Sequence, residues 1–283
     1  MRVGLVIPVD AVEAWPDGPD SVCREAEELG LDLVLLQGDQ TGGQSAEALT
    51  AAAFLAARTT TIRIAAVAPV GPNPVLIAEQ AAVADNAANG RLHLVIDGAG
   101  AAQSMLAETV EVVLSATGPR PFRHRGEHWT IPADASPESE LAVTPKPAQL
   151  ELPIWLSGAN VAGSARRFGL SHVTAAETSA DAAADDWNQT AAALGPGVGR
   201  LRRPAIRRLE CDRGGTFDAV ALLTRLRSEA GAWGLDAVLI RLPEALTADA
   251  RSDAVRRLAS WVRPQLQVQA IPERLQAEWD RRL

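Results

Sequence analysis

With 283 residues, 47% hydrophobic and 22% charged, the chain has an ordinary globular composition and enough length to bury a core without a disulfide or metal staple. A formal net charge of -8 and the lack of a long basic run argue against nucleic acid or an anionic membrane surface as the main partner. Cys23 and Cys211 are far apart and share no metal-ligand spacing, so both read as small buried hydrophobes in a reducing compartment. The run from Met1 to Pro8 is too short for a signal peptide, and no apolar stretch nears the ~20 residues that span a bilayer. A cytoplasmic location is expected.

Taken in chain order, strand and helix alternate. Val3–Pro8 reads as a short apolar strand and Ser21–Gly30 as a helix with Gly30 at its C-terminal cap. Leu31–Leu36 is a continuous apolar strand, Ala46–Thr59 a helix and Ile62–Ala68 a third strand. Asn73 and Pro74 open the next helix as N-cap and first helical residue, where a missing N–H costs nothing, and Asn89-Gly90 stops it. Leu92–Asp97 is the fourth strand and Ala102–Ala116 the helix after it. An irregular stretch rich in Pro, Arg and His runs from Thr117 to about Leu152. The alternation resumes with strand Pro153–Ser157, helix Val161–Phe168, strand His172–Ala176 and a helix from about Ala180 to Leu194. It closes with strand Ala205–Cys211, helix Phe217–Trp233, strand Ala237–Leu242 and helix Ala248–Val262. The charged tail after Pro264 is expected to cover one end.

Apolar strands, each separated from the next by a helix, indicate a parallel sheet covered on its outside. Eight such units imply closure. The expected fold is therefore a (β/α)8 TIM barrel, a single domain over residues 1–283 with an irregular segment before the fifth strand. An open doubly wound sheet is the alternative, and the first strand lacks the Gly-rich fingerprint that would support it.

Three stretches carry a family likeness. The first is Thr61-Ile62-Arg63-Ile64 with Asn73-Pro74-Val75-Leu76-Ile77-Ala78-Glu79-Gln80-Ala81-Ala82, continuing through Asp85 to Asn89-Gly90-Arg91-Leu92. The second is Phe122, Gly126 and Trp129, then Pro145-Lys146-Pro147 and Pro153-Ile154-Trp155-Leu156-Ser157-Gly158. The third, weaker, is Ala26-Glu27-Glu28-Leu29-Gly30-Leu31-Asp32. In this order the chain resembles the bacterial luciferase-like family of flavin-dependent oxidoreductases. The resemblance implies a barrel that holds FMN or the deazaflavin coenzyme at the C-terminal ends of its strands. It also implies oxygen activation or hydride transfer in which the cofactor carries the chemistry.

Candidate site residues follow from strand ends. The fourth strand reads His93-Leu94-Val95-Ile96-Asp97, with Val95 and Asp97 where relatives end in glycines. Alternation puts Leu92, Leu94 and Ile96 on one face, suited to the helix layer, and His93, Val95 and Asp97 on the other, toward the barrel interior. Asp97 at the mouth either works as an acid, base or cofactor contact with a raised pKa, or caps a helix or pairs with an arginine. Asp39, in Gln37-Gly38-Asp39-Gln40, stands where relatives carry an acid and a histidine; it is a second catalytic candidate or a turn carboxylate. His93 lies too deep for a ligand and reads as a hydrogen-bonded core histidine.

For the cofactor, Ser157, Gly158 and Asn160 form a candidate phosphate seat at a helix N-terminus, the alternative being a plain turn capped by Asn160. Ala66 and Ala68 are small residues able to lie under a flavin ring, or simply tight packing. Arg120, Arg123, His124, Arg125 and His128 either close over an anion or pair with nearby acids. Glu177 and Arg241 could point inward. With no tyrosine, no nucleophile–histidine spacing and no His and carboxylate cluster resembling a metal site, an organic cofactor is the expected reagent.

Relatives pair through helices at positions matching 46–59 and 74–89, which here are rich in alanine, so a homodimer is expected. Two functions stay open. One is a flavin- or deazaflavin-dependent oxidoreductase acting on a small organic substrate. The other is a non-catalytic barrel homologue serving as a binding protein or partner subunit, with no cofactor.

Overall fold

A computed structural model describes residues 1–9, 18–38, 47–133, 136, 138–175, 177–194, 205–211, 216–233, 235–243 and 246–267. Its strands are β1 (Arg2–Pro8), β2 (Leu33–Gln37), β3 (Arg63–Pro69), β4 (Leu92–Asp97), β5 (His124–Arg125), β6 (Thr130–Ile131), β7 (Ile154–Ser157), β8 (Ser171–Thr174), β9 (Ile206–Glu210) and β10 (Ala237–Arg241). Between them run α1 (Gly18–Glu28), α2 (Glu47–Ala56), α3 (Pro74–Ala87), α4 (Gln103–Thr117), α5 (Ala162–Phe168), α6 (Ala180–Leu194) and α7 (Ala219–Trp233). The parallel strands close in the order β1-β10-β9-β8-β7-β4-β3-β2. This is the expected (β/α)8 barrel.

The irregular stretch before β7 is not featureless: β5 and β6 pair as a small antiparallel hairpin. Phe122 and Leu141 next to it pack on Ala78 of α3 and Ala116 of α4, so the segment lies on the helix layer. The last helix is longer than expected. It runs as α8 (Ala248–Arg257), a π turn at Leu258–Val262 and α9 (Arg263–Gln267), passing through Pro264. Proline has no N–H to give to the turn before it, and the wider π turn is where the missing bond is absorbed. The part of the tail after Gln267 lies outside the described residues.

Side-chain alternation divides the core in two. Val3, Leu5, Ile7, Leu92, Leu94 and Ile96 belong to the layer between barrel and helices. Val6, Leu35, Ala65, Val67, Val95 and Trp155 fill the barrel itself. Trp155 is 2% exposed and plugs the interior; burying such a ring stabilises by roughly 2–3 kcal/mol relative to leaving it exposed. Among the described residues no helix is long and apolar enough to cross a membrane.

The N-terminal end of the barrel is closed by side chains that bind backbone. Glu27, at the end of α1, accepts the N–H groups of Thr60, Thr61 and Ile62 ahead of β3. Burial alone pushes its carboxyl up, but these bonds more than offset that and bring it down to about 2. Asp32 accepts Val3 N–H at 2.8 Å and a bidentate pair from Arg263 at 3.0 Å, which ties α9 to that end. Arg91 donates to the carbonyls of Ala56, Thr59 and Ile62, capping α2. Asp85, fully buried, accepts Leu92 N–H and both donors of Gln149. The stop at Asn89-Gly90 is left-handed as expected, with φ of 49° and 78°.

Candidate active site

At the other end, where the strands finish, the barrel opens into a cavity of about 500 Å³. Val6, Leu35, Val67, Val95 and Val173 make an apolar floor. Gln37, Asp97, Ser157, Glu177, Arg208 and Arg241 supply its polar groups. This is where barrel enzymes place their chemistry, because the loops after the strands converge there.

Asp97 stands where alternation put it. It lines the cavity, 6% exposed, between Pro69 on β3 and Ser157 on β7 in the sheet register. Its Oδ1 accepts the Ser157 hydroxyl at 3.0 Å and the Ala99 N–H at 3.3 Å. The carboxylate is thus aimed and held rather than free to swing. Asp39 lies outside the described residues.

The seat expected at Ser157–Asn160 is built differently. The Ser157 hydroxyl is given to Asp97, so a carboxylate stands beside this turn. Gly158 adopts φ +107°, and a Cβ there would lie 2.7 Å from Ala99 N, so the glycine serves a close approach of the β7 turn to the end of β4. Asn160 takes a left-handed φ of 62° outside the cavity lining, and the N-cap of the short helix α5 is Val161. Ser157 and Gly158 line the cavity; Asn160 does not.

Ala66 and Ala68 are also corrected. Both belong to the layer between barrel and helices, because Ala65 and Val67 are the inward residues of β3. Val67 lies in the cavity in their place. His93 is inside the barrel as expected, but its Nδ1 has no hydrogen-bond partner among the described residues; the ring packs instead on Trp155, centroids 4.6 Å apart. Burial, with Arg2 and Arg63 nearby, pushes its pKa down to about 3, so it is neutral near pH 7.

The two histidines of the basic cluster take the second expected role, pairing with acids: His128 lies 3.9 Å from Glu127 and His124 2.9 Å from Glu108. His124 Nε2 and the N–H groups of His128 and Trp129 all bond Glu108 of α4, fastening the hairpin to that helix. Burial works against ionised Glu108, but those bonds outweigh it and hold its pKa below the ordinary value. Cys23 is buried and Cys211 half-buried; burial pushes their thiols up to about 12 and about 11, so neither is a nucleophile. Among the described residues no cluster of His, Cys, Asp and Glu could hold a metal ion.

Sequence reasoning missed Arg208 and the role of Gln37. Arg208 Nη1 donates to Gln37 Oε1 at 3.1 Å and Nη2 to Glu210 Oε1 at 2.9 Å. The signal was present in Ile206-Arg207-Arg208: once Ile206 is assigned inward, alternation sends Arg208 in and Arg207 out. Arg207, fully buried, bonds Glu229 at 2.9 Å and the carbonyls of Ala175 and Thr178 at 2.6 Å. It thereby secures the turn that carries Glu177 to the rim.

The family model described as luciferase-like monooxygenase matches residues 20–213, more than half of the chain. The chain belongs to that family. Solved structures share the barrel fold. A monooxygenase from Streptomyces bottropensis is 17% identical, with 94% of this chain and 100% of that chain covered and a TM-score of 0.76. The coenzyme F420 dependent tetrahydromethanopterin reductase from Methanopyrus kandleri is 11% identical, with 93% and 99% covered and a TM-score of 0.72. The oxygenating constituent of 3,6-diketocamphane monooxygenase from the CAM plasmid of Pseudomonas putida, solved in complex with FMN, is 14% identical, with 93% and 98% covered and a TM-score of 0.69. Such identities show a shared fold. No curated protein gives a significant sequence match.

Proposed function

We propose that the chain is a flavin- or deazaflavin-dependent oxidoreductase acting on a small organic substrate at the C-terminal mouth of the barrel. The observation that carries this reading is the apolar-floored cavity of about 500 Å³ with Asp97 fixed in its wall, in a chain of the luciferase-like family. Cofactor sites span roughly 300–1,000 Å³, and this cavity has that size, with an apolar floor for a ring and polar groups around it. Structural neighbours include an enzyme in complex with FMN and one dependent on F420, which supports either cofactor here.

Val67, Val95 and Val173 would hold the ring. A bound flavin supplies hydride or oxygen chemistry that side chains lack. Asp97 takes or delivers a proton on the substrate, oriented by Ser157, while the floor keeps water out. The test is titration of the purified protein with FMN and with the deazaflavin coenzyme, oxidised and reduced. Visible absorbance that comigrates with the protein is expected for one of them. Binding of neither would favour the non-catalytic barrel, which Val95 and Asp97, in place of the glycines of relatives, already recommend as the second reading.

The homodimer belongs to the same proposal. Leu76 and Val83, seven residues apart on one face of α3, are 46% and 49% exposed, and Phe54 on the adjacent α2 is 49% exposed. These apolar groups support pairing through α2 and α3. Light scattering of Leu76→Glu checks it: a dimer in the parent and a monomer in the variant are expected.

A further inference from the structure

Arg208 crosses the barrel mouth. In the ring of strands, β9 and β2 are separated by β10 and β1, and the side chain reaches Gln37 on β2 while Glu210 holds its other edge. It is therefore preorganised inside the cavity. Its Nε is buried and has no hydrogen-bond partner among the described residues. That nitrogen is out of a ligand's reach, but Nη1 and Nη2 each carry a second hydrogen, and the side chain, 24% exposed, lines the cavity where a bound acceptor can meet them.

Guanidinium suits carboxylate and phosphate alike. Here Glu210 already offsets part of its charge, and Asp97 and Glu177 line the same cavity. Arg241 lines it too, so two guanidinium groups stand against Asp97, Glu177 and Glu210, and with no surplus of positive charge the mouth suits a single negative charge better than a phosphate dianion. Val6 and Leu35, the part of the floor not given to the ring, face an apolar body on the same molecule. Resting on the oxidoreductase reading above, we infer that the substrate is a small monocarboxylate with an apolar body, its carboxylate received by Arg208.

Benzoate and benzamide, alike in size and different in charge, test this by calorimetric titration. The parent protein is expected to bind benzoate at least about 10-fold more tightly than benzamide. Arg208→Gln is expected to lose that preference with little change for benzamide. Arg208→Lys, which keeps the charge without the planar fork, should keep only part of it, and it replaces the glutamine variant if that one does not fold. Equal affinity of the parent for both probes, or a preference that survives in Arg208→Gln, overturns the inference.

FMN and riboflavin separate this from the broader proposal. Both are expected to bind Arg208→Gln as they bind the parent. Loss of FMN alone would assign Arg208 to a cofactor phosphate and overturn the substrate class. A parent that binds no flavin yet prefers benzoate would end the oxidoreductase reading and leave the carboxylate site standing.

Discussion

At the N-terminal end of the barrel, Glu27, Asp32, Asp85 and Arg91 spend their hydrogen bonds on backbone groups and on Arg263 and Gln149. At the C-terminal mouth, Asp97, Glu177, Arg208 and Arg241 line a cavity instead. The same kinds of residue appear at both ends, and their surroundings set them to different work. In the first case charge satisfies loop donors and carbonyls, which is stability. In the second it is held by other side chains at an open space, which is what binding needs. The stretches that carry the family resemblance belong mostly to the first end: Asp85, Arg91 and the Lys146 carbonyl, bonded by Asn86, are scaffold. Membership of the family is thus legible without the site being so.

The contrast can be broken or sharpened by substitution. The largest effect is expected from Arg207→Met, which leaves Glu229 in a buried setting with only Arg225, and frees the carbonyls of Ala175 and Thr178. Breaking a buried pair of this kind costs about 3–5 kcal/mol, measurable by denaturant unfolding. Flavin affinity should fall too, since the Glu177 turn loses its anchor.

Asp85→Ala comes next. It strands the Leu92 N–H and the Gln149 donors, for a loss of about 3 kcal/mol. Flavin affinity per folded molecule is expected to stay at the parental value, because the damage is at the closed end. A matching loss of flavin affinity would mean that the two ends are coupled.

Asp97→Ala should behave in the opposite way. Turnover with a bound flavin is expected to drop about 100-fold, as for loss of an acid–base group, with a smaller loss of unfolding stability than Asp85→Ala, because the Ser157 hydroxyl it leaves can turn to water in the cavity. Stopped-flow flavin oxidation alongside thermal unfolding separates the two readouts. Equal turnover in parent and variant would remove Asp97 from the chemistry.

The smallest effect concerns pH. Glu27 has a folded pKa of about 2 against an ordinary 4.5, so its contribution is present above pH 4.5 and is lost as pH falls toward 2. Solvent screening limits it to about 1 kcal/mol. Glu27→Gln is expected to lower stability at pH 7 and to flatten the acid limb of a stability–pH profile. An unaltered limb would mean that other carboxylates dominate it.

Much of the barrel can be read along the chain. The fourth strand, Leu92–Asp97, and its inward set of His93, Val95 and Asp97 follow from apolar runs and alternation alone. At β3 small size alone pointed to Ala66 and Ala68, whereas alternation, with its phase set by the neighbouring strands, turns Val67 inward. The hairpin was missed because its strands are two residues each and are held by Glu108, a contact 16 or more residues away.

Local chemistry, then, settled what the chain could decide by itself: strand, helix, caps, the parallel closed sheet and the position of Asp97 near its mouth. These depend on periods of two and 3.6 residues, which a single stretch of chain already contains. Tertiary structure alone decided which strand ends share a wall. Arg208 meets Gln37 across 171 positions of sequence, and Ser157 meets Asp97 across 60. Such meetings depend on strand order and register around a closed ring, and no local pattern encodes either one.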